Sequence, residues 1–200
     1  MADAGRVVAG SARGVRLVAP GEGTRPLADR VKETLFAILE PELRDRPFLD
    51  LFAGSGAAGI EALSRGAAAA VFVEKDAGAA RTIEENLRRA HLDRGRVVRA
   101  DVVRWLRGDA AAEPFDVAFA DPPYADPQLL LRALEALGAP ERAILATGAR
   151  VVAKHFWRER PPATIGLLAS DRERRFGETA LTFYRRLANT GEPQPDEEAR

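Results

Sequence analysis

The segment that most restricts the fold of this chain is Asp50-Leu-Phe-Ala-Gly-Ser-Gly-Ala-Ala-Gly59. It follows the apolar run Phe48–Phe52, which reads as a strand, and opens the run Ala57–Ser64, which reads as a helix closed by Gly66. Gly54, Gly56 and Gly59 match the spacing of a dinucleotide-binding turn, in the strand-to-helix position such a turn requires. A tight turn without a ligand uses the same glycines, so the motif alone indicates only a nucleotide-like molecule on the first strand–helix crossover.

The strand–helix alternation then repeats. Ala70–Val73, Val97–Ala100, Phe115–Ala120 and Arg150–Lys154 read as further strands, with helices at Ala77–Ala90, Val102–Leu106 and Leu129–Leu137. Such alternation predicts a mostly parallel sheet with helices on both faces. Before it, residues 5–19 read as a β-hairpin, and Leu27, Val31, Leu35, Ile38 and Leu39 mark an amphipathic helix that Pro41 should end. After Pro162, two strand-like runs, 164–170 and 178–186, are joined by the charged stretch Asp171–Phe176. The expected division is an N-terminal hairpin extension over 1–23, a main domain over 24–187 and a disordered Pro- and Glu-rich tail over 188–200.

Composition narrows the chemistry. The 200 residues include no cysteine and only two histidines, which excludes thiolate metal sites and cysteine nucleophiles and argues against a histidine metal centre. Thirty basic and thirty acidic side chains cancel to a net charge of +0, so any nucleic-acid surface must be local. Arg6, Arg13 and Arg16 form one such basic group in the hairpin. No run is long and apolar enough for a membrane helix, and no signal-peptide layout is present, so a soluble cytoplasmic protein without a membrane partner is expected.

Three carboxylates bear on the ligand, and two of them, Asp50 and Asp101, choose between nucleotide-like molecules. Glu74, ending the second strand of the alternation, is placed to accept from two ribose hydroxyls, which NAD and S-adenosylmethionine share. Asp50 sits inside the strand before the glycine turn, where its charge would repel a pyrophosphate but suits a sulfonium with a free ammonium group. Asp101, directly after the third strand, is placed to accept from an adenine amino group. These positions all lie at carboxyl ends of strands, where open α/β sheets bind ligands.

Asp121-Pro-Pro-Tyr124 supplies the reaction. Consecutive prolines fix two φ angles and remove two backbone donors, leaving a stiff loop whose carbonyls can face outward. An exocyclic base amine is a poor nucleophile because its lone pair is delocalised into the ring. Held by the Asp121 carboxylate and the Pro122 carbonyl, its nitrogen gains sp3 character and can attack a methyl group, while Tyr124 stacks on the base.

The string Asp50 to Gly66, together with Asp121–Tyr124, resembles the bacterial RsmD-type methyltransferases, which methylate N2 of a guanine in small-subunit (16S) ribosomal RNA. Arg6–Gly10 through Arg16-Leu17 resembles that family's opening hairpin. Thr24-Arg-Pro26, Asp29–Phe36 and Gly177–Tyr184 match as well, so the likeness spans roughly residues 5–187. It implies a class I (Rossmann-like) S-adenosylmethionine-dependent methyltransferase fold, a mostly parallel seven-stranded α/β sheet with an N-terminal β-hairpin. It also implies that Asp50, Gly54, Gly56, Glu74 and Asp101 line the donor site, flanked by Phe52, Ser55, Lys75 and Val102, with Asp121, Pro122, Pro123 and Tyr124 around the guanine. Arg25 and Arg30 would grip the methionine carboxylate or RNA phosphates, or form salt bridges with Glu33 or Asp29. The implied partner is ribosomal RNA, a small subunit or an assembly intermediate, met by a monomer. One departure is visible: many relatives carry an acidic residue after the last parallel strand, where this chain has Lys154-His155-Phe156-Trp157. His155 is then either a proton acceptor at the pocket rim or a packed or solvent-facing side chain.

Three other readings compete. A DNA adenine-N6 or cytosine-N4 methyltransferase shares the acceptor loop, but 200 residues leave no room for a large target-recognition region. A protein-glutamine methyltransferase would usually carry Asn at position 121. A non-catalytic RNA-binding module would have lost the glycine turn or Asp121, and this chain keeps both.

Overall fold

The computed structural model describes residues 3–21, 27–108, 114–123 and 126–189. Thr24, Arg25, Pro26, Tyr124 and the tail from residue 190 lie outside them. Ten strands and five helices follow in chain order among the described residues. β1 (Asp3–Arg6) and β2 (Arg16–Val18) form a separate antiparallel pair, with Arg6 opposite Arg16. The main sheet contains β3 (Pro47–Leu51), β4 (Ala69–Glu74), β5 (Gly95–Arg99), β6 (Phe115–Ala120) and β7 (Leu145–Phe156) in parallel. β8 (Thr164–Ile165), β9 (Leu168–Phe176) and β10 (Thr179–Arg186) complete it in antiparallel.

The strand order is β5-β4-β3-β6-β7-β10-β9-β8, eight strands where seven are expected, because Gly166 turns the chain so that Thr164–Ile165 pairs back onto the start of β9. The chain winds outward from β3 to β5 and then returns to lay β6 against the other side of β3. Such a switch point leaves a crevice at the strands' carboxyl ends.

Alternation along the strands divides the core. Phe48, Phe72, Phe119 and Val152 face α1 (Asp29–Leu43), α2 (Ala57–Ser64), α3 (Ala77–Arg89) and the hairpin. Leu49, Leu51, Val73 and Val151 face α4 (Val102–Arg107) and α5 (Pro127–Gly138). Each buried Leu, Val or Phe contributes roughly 1.5–3 kcal/mol of transfer free energy, so both layers are needed to hold the sheet. α2 is buried along its whole length and comes so close to β4 that a Cβ on Gly59 would stand 2.3 Å from the Phe72 ring.

Two local expectations are corrected. Pro41 does not end α1, which continues to Leu43. A proline so near a helix end removes one hydrogen bond, and buried Leu39 and Leu43 carry the last turn onto the core. Asp171–Phe176 is not a connection but most of β9, and the turn falls at Gly177-Glu178. β8 covers only Leu168 and Ala169, so the rest of β9 has an open edge where charged side chains stay hydrated.

Candidate active site

β3 ends in Leu51 and the chain turns sharply. Phe52 has a φ of 59°, which costs a non-glycine residue on the order of 1–3 kcal/mol, and Gly54 and Gly56 follow at 55° and 77°. This left-handed run lifts the backbone over the strand end before α2 begins. Glu74, on the neighbouring strand, fixes the lifted loop: its Oε2 accepts from the Gly54 amide at 2.9 Å and its Oε1 from the Asp76 amide at 2.9 Å. Beneath the loop, Asp50 Oδ2 accepts from the Gly59 amide at 2.8 Å, tying β3 to the first turn of α2. Burial pushes the Asp50 carboxyl well above the usual aspartate range; the Gly59 amide opposes this, and nearby Asp121 and Glu74 add to it.

These residues border one cavity of about 630 Å³, within the size range of cofactor sites. Of the residues expected at the donor or acceptor position, Asp50, Phe52, Gly54, Ser55, Glu74, Lys75, Asp101, Val102, Asp121, Pro122 and Pro123 line it. Gly56 does not; it caps α2 just below, where a Cβ would meet Ile83 at 3.0 Å. Asp101 also caps α4, accepting from the Arg104 amide at 2.9 Å. Leu27, Ala28 and Val31, at the start of α1, add an apolar wall. From sequence they read only as one face of a helix.

Asp121 follows β6 directly, and Lys154 lies on β7 one residue past the Ala120–Ala153 register pair. That register brings Lys154 Nζ to 2.6 Å from Asp121 Oδ1. Asp121 Oδ2 has no hydrogen bond to the described residues. Burial raises the Asp121 carboxyl above its ordinary range, and the Lys154 ammonium pulls it back down. Pro122 is buried and Pro123 exposed, and the Pro123 carbonyl accepts from the Asp126 amide at 3.3 Å. The loop is thus closed onto the start of α5.

His155 lies outside this cavity. It is 4% exposed, with Nδ1 at 2.8 Å from the Phe156 carbonyl and Nε2 at 2.9 Å from Thr182 Oγ1. Burial lowers its pKa, so it is a packed neutral side chain.

The hairpin is bolted on by polar groups that sequence reasoning did not single out. Fully buried Glu61 on α2 accepts from the Val8 and Ala9 amides at 2.7 and 3.0 Å and pairs with Arg65 at 2.8 Å. Ser64 accepts from the Ala12 amide at 2.9 Å and donates to the Ala9 carbonyl at 2.6 Å. Asn86 bridges both backbone groups of Val18 and the Ser55 carbonyl. A carboxylate alone in an apolar eight-residue helix was the available signal for Glu61. Buried Lys32 donates to the Arg6 carbonyl and pairs with Asp29 at 3.2 Å. Arg6 pairs with Asp29 at 3.4 Å and Arg16 with Asp3 at 3.1 Å, all largely solvent-exposed. Arg30 is exposed with no carboxylate partner among the described residues, and none of these arginines lines the cavity.

The cavity's charges fit a cation. Asp50, Glu74, Asp101 and Asp121 face Lys75 and Lys154, and Lys154 is already paired with Asp121. A pyrophosphate would meet these carboxylates as like charge, whereas a sulfonium with an ammonium group and ribose hydroxyls would meet acceptors. The start of α2 offers the positive end of a helix to a carboxylate.

Comparison with known proteins agrees. The family described as conserved hypothetical protein 95 matches residues 5–185. A Bacillus subtilis protein named "Putative rRNA methyltransferase YlbH" is 39% identical over 184 residues, covering 90% of this chain and 98% of that protein. The "Ribosomal RNA small subunit methyltransferase D" of Escherichia coli strain K12 is 41% identical over 120 residues, 60% of each chain. Among solved structures, yhhF from Escherichia coli has a TM-score of 0.80 at 33% identity, covering 92% of this chain and 98% of that one. From the fold, the cavity and these matches together, the chain belongs to the conserved hypothetical protein 95 family, the RsmD-type S-adenosyl-L-methionine-dependent methyltransferases.

Proposed function

We propose that this enzyme methylates the exocyclic N2 amino group of a guanine in small-subunit (16S) ribosomal RNA. The observation that carries the reading is the juxtaposition of a half-buried carboxylate on a double-proline loop with the acceptor-lined cavity at the β3–β6 switch point. The printed names of the relatives support ribosomal RNA as the polymer. The RsmD-type resemblance supports guanine N2 and the small subunit, free or partly assembled, as the target of a cytoplasmic monomer.

When bound, S-adenosylmethionine supplies a methyl group on a sulfonium. The Gly54–Gly56 turn, Glu74 and Asp101 orient the nucleoside part through backbone approach and acceptor oxygens. Asp50 and the start of α2 face the methionine end. Lys154 occupies Asp121 Oδ1, so Oδ2 is the oxygen that accepts one N–H of the target amine, and the Pro122 carbonyl accepts the other. Both bonds localise the nitrogen lone pair and aim it at the methyl carbon. Asp121 Oδ2 would take the proton that the amine nitrogen gives up on receiving the methyl group. With a donor that is already activated when bound, the alignment these residues give the amine would carry most of the rate. The outer part of the acceptor loop, with Tyr124, is the expected stacking platform for the base.

The test is to supply labelled methyl donor with deproteinised ribosomal RNA, small subunits and DNA, and to digest the product to nucleosides. Label in N2-methylguanosine from the small-subunit RNA is expected, and label confined to DNA or protein refutes the assignment. Asp121→Ala should reduce transfer by about a hundredfold or more, with donor affinity nearly unchanged by calorimetry.

A further inference from the structure

The carboxyl end of β7 and the turn between β9 and β10 form a rim beside the cavity. Thr179 lines the cavity, pairs in register with Phe156 and follows Glu178, whose carbonyl accepts from the Trp157 amide at 3.0 Å. On this rim the Arg175 guanidinium lies 3.6 Å from the centre of the Trp157 ring, and that of Arg158 lies 4.8 Å from it. The Arg175 Nε donates to the Gly177 carbonyl at 2.9 Å, which fixes its plane against the turn.

Arg158, Arg160 and Arg175 share this rim with Glu159, Glu173 and Glu178, but of these arginines only Arg160 is held in an ion pair among the described residues. Arg160 is paired with Glu173 at 2.9 Å, but Arg158 and Arg175 are exposed and in no ion pair with a carboxylate among the described residues. A single arginine on an indole face suffices for a stabilising cation–π contact. Two on one ring concentrate positive charge on a flat π-surface. Stacked aromatic and guanidinium planes flanked by phosphate-binding cations are the means by which proteins hold single-stranded nucleic acid.

We propose that this rim, Trp157 with Arg158 and Arg175, holds the single-stranded RNA flanking the target base. One neighbouring base stacks on the Trp157–guanidinium platform, and adjacent phosphates lie on the exposed arginines. The rim borders the Asp121–Lys154 side of the cavity, so a strand held here is anchored next to the nucleotide turned inward. This inference rests on the proposed RNA substrate and gives that substrate a docking surface separate from the hairpin arginines.

The experiment uses the full chain carrying Trp105→Phe, which leaves Trp157 as the sole tryptophan. A short single-stranded oligoribonucleotide should quench its fluorescence, whereas inorganic polyphosphate, which has no bases, should quench it far less. Trp157→Ala should weaken oligoribonucleotide binding about tenfold, with Trp157→Phe recovering most of the loss. Arg158→Ala with Arg175→Ala, which leaves the indole in place, should reduce the salt slope by about 0.7 for each phosphate that is no longer neutralised. Equal quenching by polyphosphate overturns the stacking role. Unchanged affinity and salt slope in both the Trp157 and arginine variants overturn the surface. If the wild type binds through Trp157 but transfers no methyl group to ribosomal RNA, the proposed reaction fails while the surface stands. If it methylates that RNA and all variants keep the same KM and affinity, the surface fails alone.

Discussion

Asp121 and Lys154 show how one residue's chemistry is set by another far away in sequence. Burial alone would keep the Asp121 carboxyl protonated over a wider pH range; the Lys154 ammonium at 2.6 Å limits that effect. Because Asp121 must be ionised to take the proton that the amine gives up, activity should be lost as pH falls through the raised Asp121 pKa. Lys154→Met removes the opposing charge, so the acidic limb of the kcat/KM profile should move to higher pH. Turnover below that limb should fall about tenfold per pH unit. Lys154→Arg should restore much of the wild-type profile, and an unmoved limb in Lys154→Met would falsify the role given to Asp121 ionisation. Asp50, Glu74, Asp101 and Asp121 were legible as site residues because each stands in or just after an apolar strand, on the ligand-binding end of the sheet. The role of Lys154 was not legible. It depends on the β6–β7 register, which is offset by an irregularity between Phe115 and Val117 that no local pattern announces.

Among the elements, α2 does two jobs: its first turn borders the donor cavity, and its later turns hold the hairpin. Glu61→Ala would leave the Val8 and Ala9 amides without an acceptor, at a cost of about 2–5 kcal/mol, while Glu61→Gln would retain part of the contact. The expected result in urea denaturation is a lower midpoint for Ala than for Gln, with the Val8 and Ala9 amides exchanging faster with solvent. Equal midpoints for wild type and both variants would show that the hairpin does not depend on this anchor. The helices and parallel strands were readable because apolar periodicity and glycine turns repeat without interruption from residue 47 to Lys154. β9 was misread for a physical reason: an edge strand with one open side needs no apolar alternation, and its charges imitate a loop. Pro41 misled in the opposite way, since a breaker within three residues of a helix end loses to burial of Leu39 and Leu43.

At the scale of the molecule, a net charge of +0 means that affinity for a polyanion must come from local groups. Arg6 and Arg16 share their charge with Asp29 and Asp3 in exposed pairs, weak contacts that a phosphate can displace. Arg30 stands at the start of α1 near Leu27 and Val31 of the cavity wall. Arg13 belongs to the turn pinned at Ser64, the far end of α2, about 10 Å along the helix from Ala57 at the cavity. Changing Arg6, Arg16 and Arg30 together to alanine should weaken RNA binding and flatten its salt dependence, whereas Arg13→Ala should leave the slope unchanged. A slope altered by Arg13→Ala alone would shift the RNA path toward the hairpin turn. The boundaries of the main sheet have a separate consequence. One border is the two-residue β8 together with the open, charged stretch Asp171–Arg175 of β9, and the other, β5, carries exposed Arg96 and Arg99. Borders that charged repel a half-folded neighbour seeking backbone to zip onto, so the long ladder of the interior is poorly placed to seed cross-strand aggregation while the chain is being made.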